Sequence, residues 1–505
     1  MKNSVQTSSE DQFIITELER IFRLQKASFL KDSYPSSEVR IERMKRVPIM
    51  LRKNREKILK ALADDFGGHS RHAGDLLEIL GMFDRADYNI AHVKKWMKPI
   101  AKAGNLVTMG NAKIYLKSHP KGVIGNMVSW NFPFDIAIGP LLDALGAGNR
   151  MIIKPSDLAP ACGAVLQEMI SETFEEDVVA VVNGGLSLAK HFPKLTWDHL
   201  IYTGSGAVGR LVMQAAAVNL VPVTLELGGK SPVIVAEDAI NTKTIESIAG
   251  IKAVKRGQMC VTGDYCLVPR KHLDEFVSKI TTHFKVNLSA DNNGASESTC
   301  GIISERHLKR LQALVEEAKE VGAKVINTGA DMKESGRHMP FHIVVDPPQD
   351  ISLMQEEIFG PILPIIPYDT IEDIIHYVNA GDKPLGLYLY ANNKSFIDQI
   401  CVNTQSGGVA VNVMAIQAGM PSLPFGGVGA SGMGVHHGEE GFREFSNQRG
   451  YFIRKQGGTY DMIMPPYGKD TDHLINKVAY APLAKQAIFA LKTMPKALMA
   501  MLFKR

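Results

Sequence analysis

From Ile14 to about Trp96 the apolar residues recur at helical spacing: in "VRIERMKRVPIMLRKNREKILKALADDF", Ile41, Met44, Ile49, Leu51, Ile58, Leu59 and Leu62 are interleaved with charges. That period predicts a set of amphipathic helices. After Asn111 the texture changes: "AKIYLKSHPKGVIGNMVSW" alternates and then becomes an apolar run, which predicts strands. Two short apolar segments, "RMIIKP" and "VVAVVNGG", flank the helix-like "ACGAVLQEMISETF", and "HLIYTGSGAVGRLVMQAAA" opens another strand-to-helix unit. Strands alternating with helices predict a parallel sheet in an α/β domain. A second series, "SPVIVAED", "YCLVPR", "AKVINTG", "HIVVDPP" and "GVAVNV", predicts a second α/β lobe.

Length agrees with more than one core, because 505 residues exceed the ~250 to 300 at which a single core stops growing. A net charge of +4 is close to neutral at this length and argues neither for nucleic acid nor for an acidic partner. The cysteines Cys162, Cys260, Cys266, Cys300 and Cys401 are odd in number and scattered, with no CxxC pair. They read as reduced thiols of a cytoplasmic protein rather than a disulfide framework or a metal site. "MKNSVQTSSEDQF" lacks the apolar centre of a signal peptide, and no run of about eighteen apolar residues is present to span a bilayer. From His473 the chain carries Lys477, Lys485, Lys492, Lys496, Lys504 and Arg505 and no acid, with apolar residues between the cations. This predicts a basic amphipathic helix broken at Pro495, either packed on the protein or in peripheral contact with a membrane surface.

Gly204, Gly206 and Gly209 in "YTGSGAVGRL" fit G-x-G-x-x-G between a strand and a helix, a turn that lets a pyrophosphate reach backbone amides. Glu226 stands at the distance of a ribose-binding acid. It also lies in "TLELGGKSP", where a carboxylate with a pKa raised by desolvation could act as a general base. Further motifs follow in fixed order: "SWNFPFD", "IIKPSD", "GQMC", "QEEIFGP" and "PFGGVGASGMG".

Together these motifs resemble the aldehyde dehydrogenase superfamily, from the N-terminal helices to about Arg454. "KPS" and "DFGGHSRHAGDLLEI" look similar to its class 3 branch, in particular bacterial coniferyl aldehyde dehydrogenases. The resemblance implies a Rossmann-type dinucleotide-binding domain (1–110 and 121–228), an α/β catalytic domain (229–440), a small β bridging element (111–120 and 441–465) and the basic tail (466–505). It also implies a homodimer.

By the same resemblance Cys260 is the nucleophile, Asn131 and the Cys260 N–H hold the oxyanion, and Glu226 activates the hydrolytic water. Losing one oxyanion donor typically costs roughly 3 to 4 kcal/mol. For the cofactor the resemblance implies a pyrophosphate near Gly204, Ser205 and Gly209, with Trp130 and Leu227 lining the passage. Lys154, with Ser156 and Asp157 beside it, would hold the adenosine ribose, Glu357 the nicotinamide ribose, and Phe359 would pack by the ring. Asp157, where many relatives carry Glu, leaves room for a 2′-phosphate, so NAD is expected with NADP tolerated. No metal is expected.

The chain departs from the usual "NAGQTC" at Lys255, Arg256 and Met259. Lys255 is expected either to lower the Cys260 pKa or to face solvent, Met259 to add apolar surface beside the substrate, and Cys266 to pack. The implied reaction oxidises an aromatic or medium-to-long aliphatic aldehyde to the carboxylate. The alternatives are an acylating relative, a membrane-associated fatty aldehyde dehydrogenase and a non-catalytic descendant.

Overall fold

The computed structural model describes residues 8–103, 112–288, 300–329, 337–454, 464–480 and 482. Of the basic helix expected from His473, the first residues lie in the helix Lys469–Ile475 and the π-helical stretch Asn476–Tyr480, and the part around Pro495 lies outside the described residues. The described residues divide into two compact units, one within 1–93 and 120–446, the other within 94–119 and 447–505. In the smaller unit, β1 (Ile100–Ala101), β2 (Lys113–Pro120) and β16 (Ser446–Ile453) form a three-stranded sheet. No described helix is long and apolar enough to cross a membrane.

The larger unit opens with the helices Ser9–Lys31 and Ser37–Phe66, each started by a serine whose side chain accepts a first-turn N–H: Ser8 from Asp11 and Ser36 from Val39. The second helix buries Met44, Leu51, Ile58, Leu59 and Leu62 of the predicted stripe, together with Val47 and Phe66, while Ile41 is half-buried and Ile49 faces solvent; it ends at Gly67 in the left-handed conformation. A π-helical stretch, Gly74–Leu80, follows. On it Glu78 is fully buried, and π-turns of this kind often mark functional positions.

Two parallel-rich sheets form the frame of this unit. The first has the order β15-β7-β6-β3-β4-β5, built from β3 (Val123–Met127), β4 (Arg150–Lys154), β5 (Val179–Val181), β6 (His199–Thr203), β7 (Val223–Glu226) and β15 (Gly432–Met433). Only the β15 to β7 pairing is antiparallel. The chain runs outward from β3 through β4 and β5, then returns to the other side of β3 with β6. This places a topological switch point between β3 and β6, where a crevice opens beyond the carboxyl ends of the strands.

The second sheet has the order β10-β11-β12-β9-β8-β13-β14: β8 (Pro232–Val235), β9 (Tyr265–Pro269), β10 (Lys324–Asn327), β11 (His342–Val345), β12 (Ile362–Tyr368), β13 (Gly386–Tyr390) and β14 (Gly408–Val411). Apolar clusters form on both of its faces, one around Leu311, Ile362 and Leu387, the other around Phe276, Ile343 and Tyr388. Cover on both faces explains why its strands read as continuous apolar runs. Cys266, on β9, is fully buried between Val233 and Ile365 of the flanking strands, as expected of a packing residue, and all five cysteines are free thiols.

Candidate active site

The segments that leave the carboxyl ends of β3, β6 and β7 meet the loops that precede β9 and β12. Ser129 to Asn131, Thr203 to Ala207 and Glu226 to Gly228 come from the first sheet, and Cys260 and Glu356, Glu357 and Phe359 from the second. They enclose a cavity of about 570 Å³, also lined by Arg210, His307 and Arg310. Ser205 caps the helix Gly206–Ala217 by accepting the Val208 N–H. Gly209 packs that helix on the sheet, since a Cβ there would stand 2.8 Å from Leu227 Cδ2.

Gly228 has a similar role beside Glu357. A Cβ on it would fall 2.0 Å from the Glu357 carboxylate, so the glycine admits that side chain against the backbone. Burial and the nearby Asp264 push the Glu357 pKa up to about 8. Its loop is pinned from beneath: Asp264 accepts the Ile358 N–H at 2.9 Å and pairs with Lys230, which donates to the Glu356 carbonyl. Trp130 meets Phe359 edge to face with ring centroids 5.3 Å apart. A helix N-terminus, a glycine cradle and two arginines suit a pyrophosphate between two riboses, so these residues fit a dinucleotide.

A second cavity, about 280 Å³, shares Thr203, Glu226, Leu227 and Cys260 with the first. Its walls are mostly apolar, with Leu77, Phe132, Ile251, Met259, Met420 and Phe425 among them. Met259 is buried there, the apolar surface its position predicts. Asp135, His436 and His437 are the further ionisable groups on this wall, and burial raises the Asp135 pKa to about 6.

Glu226 and Cys260 therefore stand where the two cavities join. Both Glu226 carboxylate oxygens are buried without a hydrogen-bond partner. The nearest cation-capable group, His436 Nε2, is 3.8 Å away, too far for a hydrogen bond, and burial together with Arg85 keeps that imidazole neutral. Burial, reinforced by Glu444, raises the Glu226 pKa well above the ordinary carboxylate value. His436 is oriented by Arg85, 2.9 Å from its Nδ1, and Arg85 forms a buried ion pair with Asp143.

The aldehyde dehydrogenase family model matches residues 18–450. The chain belongs to that family. Aldehyde dehydrogenases oxidise aldehydes with a nicotinamide dinucleotide, and this chain is an enzyme of that kind. A Pseudomonas aeruginosa protein described as a probable coniferyl aldehyde dehydrogenase is 40% identical over 472 residues, covering 93% of this chain and 98% of that one. Aldehyde dehydrogenase family 3 member A2 of Mus musculus is 35% identical over 470 residues, 92% of each chain. These relatives bear out the resemblance to the class 3 branch and to bacterial coniferyl aldehyde dehydrogenases. Among solved structures, a Mycobacterium tuberculosis aldehyde dehydrogenase complexed with NAD+ superimposes with a TM-score of 0.79 at 27% identity, covering 88% of this chain and 92% of that one.

Of the residues singled out from the sequence, Trp130, Asn131, Gly204, Ser205, Glu226, Leu227, Cys260, Glu357 and Phe359 line one cavity or both. Gly209 lies beneath the lining. Lys154, Ser156 and Asp157 line neither cavity; Lys154 ends β4 and the other two follow it, and the Lys154 carbonyl accepts the Val128 N–H at 3.0 Å. Lys154 is buried and donates to the Pro155 carbonyl, while Asp157 is exposed.

The "GQMC" loop explains its own composition. Gly257 has φ +73°, and a Cβ there would sit 2.5 Å from the Gly360 carbonyl oxygen, so no other residue fits without movement. The Gln258 side chain donates to the Lys255 and Gly301 carbonyls, both at 2.9 Å, and accepts the Ile303 N–H.

Lys255 corrects both expectations made for it. It does not face solvent, being buried in an ion pair with Glu78. Nor does it ease Cys260 toward thiolate: burial first, then the carboxylates Glu357, Glu226 and Asp135, push the Cys260 pKa up, although the sulfur is partly open to the cavities. Arg256 is also buried, donating to the Met339 carbonyl beneath Phe341.

Sequence reasoning missed Glu78, Arg210, Arg310 and His436. Glu78 was signalled by a lone carboxylate inside the apolar run "LLEIL", and Arg210 by its place one turn into the helix after the glycine motif.

Proposed function

We propose that this enzyme oxidises an apolar, aromatic aldehyde to its carboxylate, with NAD as cofactor and NADP accepted. The observation that carries this reading is the junction: a thiol and an unpartnered carboxylate at the meeting point of a cavity suited to a dinucleotide and an apolar one. The coniferyl aldehyde named for the Pseudomonas aeruginosa relative is an aromatic aldehyde of the kind the apolar walls suit, and Asp135 offers an acceptor to a phenolic hydroxyl.

The Cys260 thiol gives its proton to solvent, and the thiolate so formed attacks the carbonyl carbon, forming a C–S bond and placing the carbonyl electrons on oxygen. The Asn131 side-chain amide and the Cys260 N–H donate to that oxyanion. A bound oxidised dinucleotide would supply the acceptor for the hydride that leaves this carbon, C–H breaking as the oxyanion re-forms the carbonyl. Cys260 is then left as an acyl thioester. Glu226 removes a proton from water, the water oxygen bonds to the acyl carbon, and the C–S bond breaks to release the thiolate and a carboxylic acid, which loses its remaining proton to solvent as the carboxylate. On the cofactor side, Ser205, Gly204 and Arg210 are assigned to the phosphates, Glu357 to the nicotinamide ribose, Trp130 and Phe359 to the ring, and Lys154 with Ser156 and Asp157 to the adenosine ribose. The same reading includes a homodimer and peripheral membrane contact through the basic tail. Sedimentation equilibrium tests the first, and liposome co-sedimentation with and without residues 473–505 tests the second.

The deciding experiment supplies aldehyde and NAD without coenzyme A and follows reduced cofactor and carboxylate together. Steady, equimolar production of both is expected. A single turnover that stops until coenzyme A is added would favour an acylating enzyme. Rates with coniferyl aldehyde, benzaldehyde, hexanal and decanal then rank the substrate, and a preference for decanal would replace the aromatic assignment.

A further inference from the structure

Lys255 and Arg256 adopt φ +47° and +55°, and Gly257 continues the left-handed path at +73°. Successive left-handed non-glycine residues are unfavourable for L-amino acids, and a charged pair without solvent requires close partners to persist. The ammonium of Lys255 has them. Its Nζ lies 2.5 Å from Glu78 Oε1 and 2.6 Å from the Asn131 carbonyl oxygen. The Phe132 ring centroid stands 4.0 Å away, and Phe66 covers the ammonium at 5.3 Å. The other Glu78 oxygen accepts the N–H groups of Phe134 at 3.2 Å and Asp135 at 3.0 Å.

One buried ion pair thus grips both ends of the turn from 131 to 135. The cation holds the carbonyl of Asn131, and the anion holds the amides that open the helix Asp135–Ala147. Lys255 itself stands five residues before Cys260 in the loop fastened by Gln258. The pair therefore ties the loop that carries the nucleophile to the turn that carries Asn131, although neither charge lines the cavity that Cys260 and Asn131 share.

We propose that Lys255, locked to Glu78, is a positioning residue that fixes the Asn131 amide relative to the Cys260 sulfur; this rests on the oxyanion role assigned to Asn131 above. The pair touches no reacting atom. Its contribution is to keep a donor in place before charge develops, and pre-organisation of that kind is what makes an oxyanion site effective.

The test is a double-mutant cycle of Lys255→Met and Asn131→Ala. Its readouts are kcat, KM for both substrates, thermal midpoint, and the pH profile of Cys260 alkylation by iodoacetamide. Lys255→Met is expected to lower kcat about 10- to 100-fold while KM for NAD and the alkylation profile stay within about twofold. In the Asn131→Ala background the same change is expected to cost less than about twofold, because the donor it positions is gone. Lys255→Arg, which keeps the cation, should recover part of the rate. Equal losses in both backgrounds, or an alkylation profile displaced with kcat, would show a merely structural pair and overturn the proposal. Wild-type kcat in Asn131→Ala alone would instead overturn the oxyanion reading beneath it. If Lys255→Met does not fold, Glu78→Gln carries the same cycle with side-chain volume retained.

Discussion

The two cavities that meet at Cys260 are built by different means. The larger is lined by backbone turns: the glycines after β6 and β7, the capped helix start at Ser205 and the Glu357 loop seated against Gly228. The smaller is lined by side chains from six or more separated segments, from Leu77 to His437, and has almost no backbone motif. In the first, glycines stand where a Cβ would collide with a neighbouring side chain, Tyr202 at Gly204 and Glu357 at Gly228. A surface made of side chains can be reshaped one residue at a time. On the proposed assignment, cofactor binding and substrate choice answer to separate sets of positions, with only the four shared residues common to both.

Substitutions at the junction should have the largest effect, on the reaction itself. Cys260→Ala is expected to abolish aldehyde oxidation by ~10⁴-fold or more, measured by reduced-cofactor formation; retained activity would remove the nucleophile assignment. Glu226→Gln is expected to slow steady turnover about 10²- to 10⁴-fold while a first-turnover burst of reduced cofactor survives, since only thioester hydrolysis needs the base. Loss of the burst as well would place Glu226 earlier in the reaction.

The raised Glu226 pKa gives this residue two pH signatures. Protonated Glu226 cannot accept a proton from water, so the steady rate of the native enzyme should fall as pH drops through the shifted pKa, and Glu226→Gln should lose that limb. For stability the sign is opposite. The unfolded carboxyl ionises near 4.5 whereas the folded one keeps its proton to higher pH, so folding loses stability as pH rises across that interval. Glu226→Gln should therefore melt above the native enzyme at pH 8, with the gap closing toward pH 5, in differential scanning calorimetry. A gap that widens on acidification would contradict the burial argument.

Away from the junction the effects should separate. Arg210→Ala should raise KM for NAD about tenfold, the worth of one charge-assisted contact, and leave KM for the aldehyde unchanged. Met259→Ala should do the reverse, shifting the relative kcat/KM of benzaldehyde and decanal by roughly 10-fold or less at constant KM for NAD. Movement of both KM values by either variant would break the distinction between the two surfaces.

The same distinction governs what could be read from the sequence. The strand-turn-helix at "YTGSGAVGRL" and the tight glycines of "LELGGK" were legible because a backbone turn dictates residue type locally. Cys260, Glu226 and Asn131 were singled out once the motifs resembled a known set, and the fold brings all three to the cavity lining. Lys255 was not, because its partner Glu78 is 177 residues away and is buried on a π-helical stretch that periodicity does not reveal. Nor was His436, whose orientation depends on an ion pair between helices remote in sequence, Arg85 with Asp143. The charge of Lys255 suggested either electrostatic activation of the cysteine or a place in solvent; packing buries it against Glu78 and the Asn131 carbonyl instead.

The shared wall between the cavities consists of Thr203, Glu226, Leu227 and Cys260, so a single elongated molecule could occupy both sides at once. A compound joining an apolar aldehyde mimic to a nucleotide fragment would bind its second half at the effective concentration set by its linker, not at the bulk concentration of a free ligand. The passage beside the Cys260 sulfur sets the width of that linker.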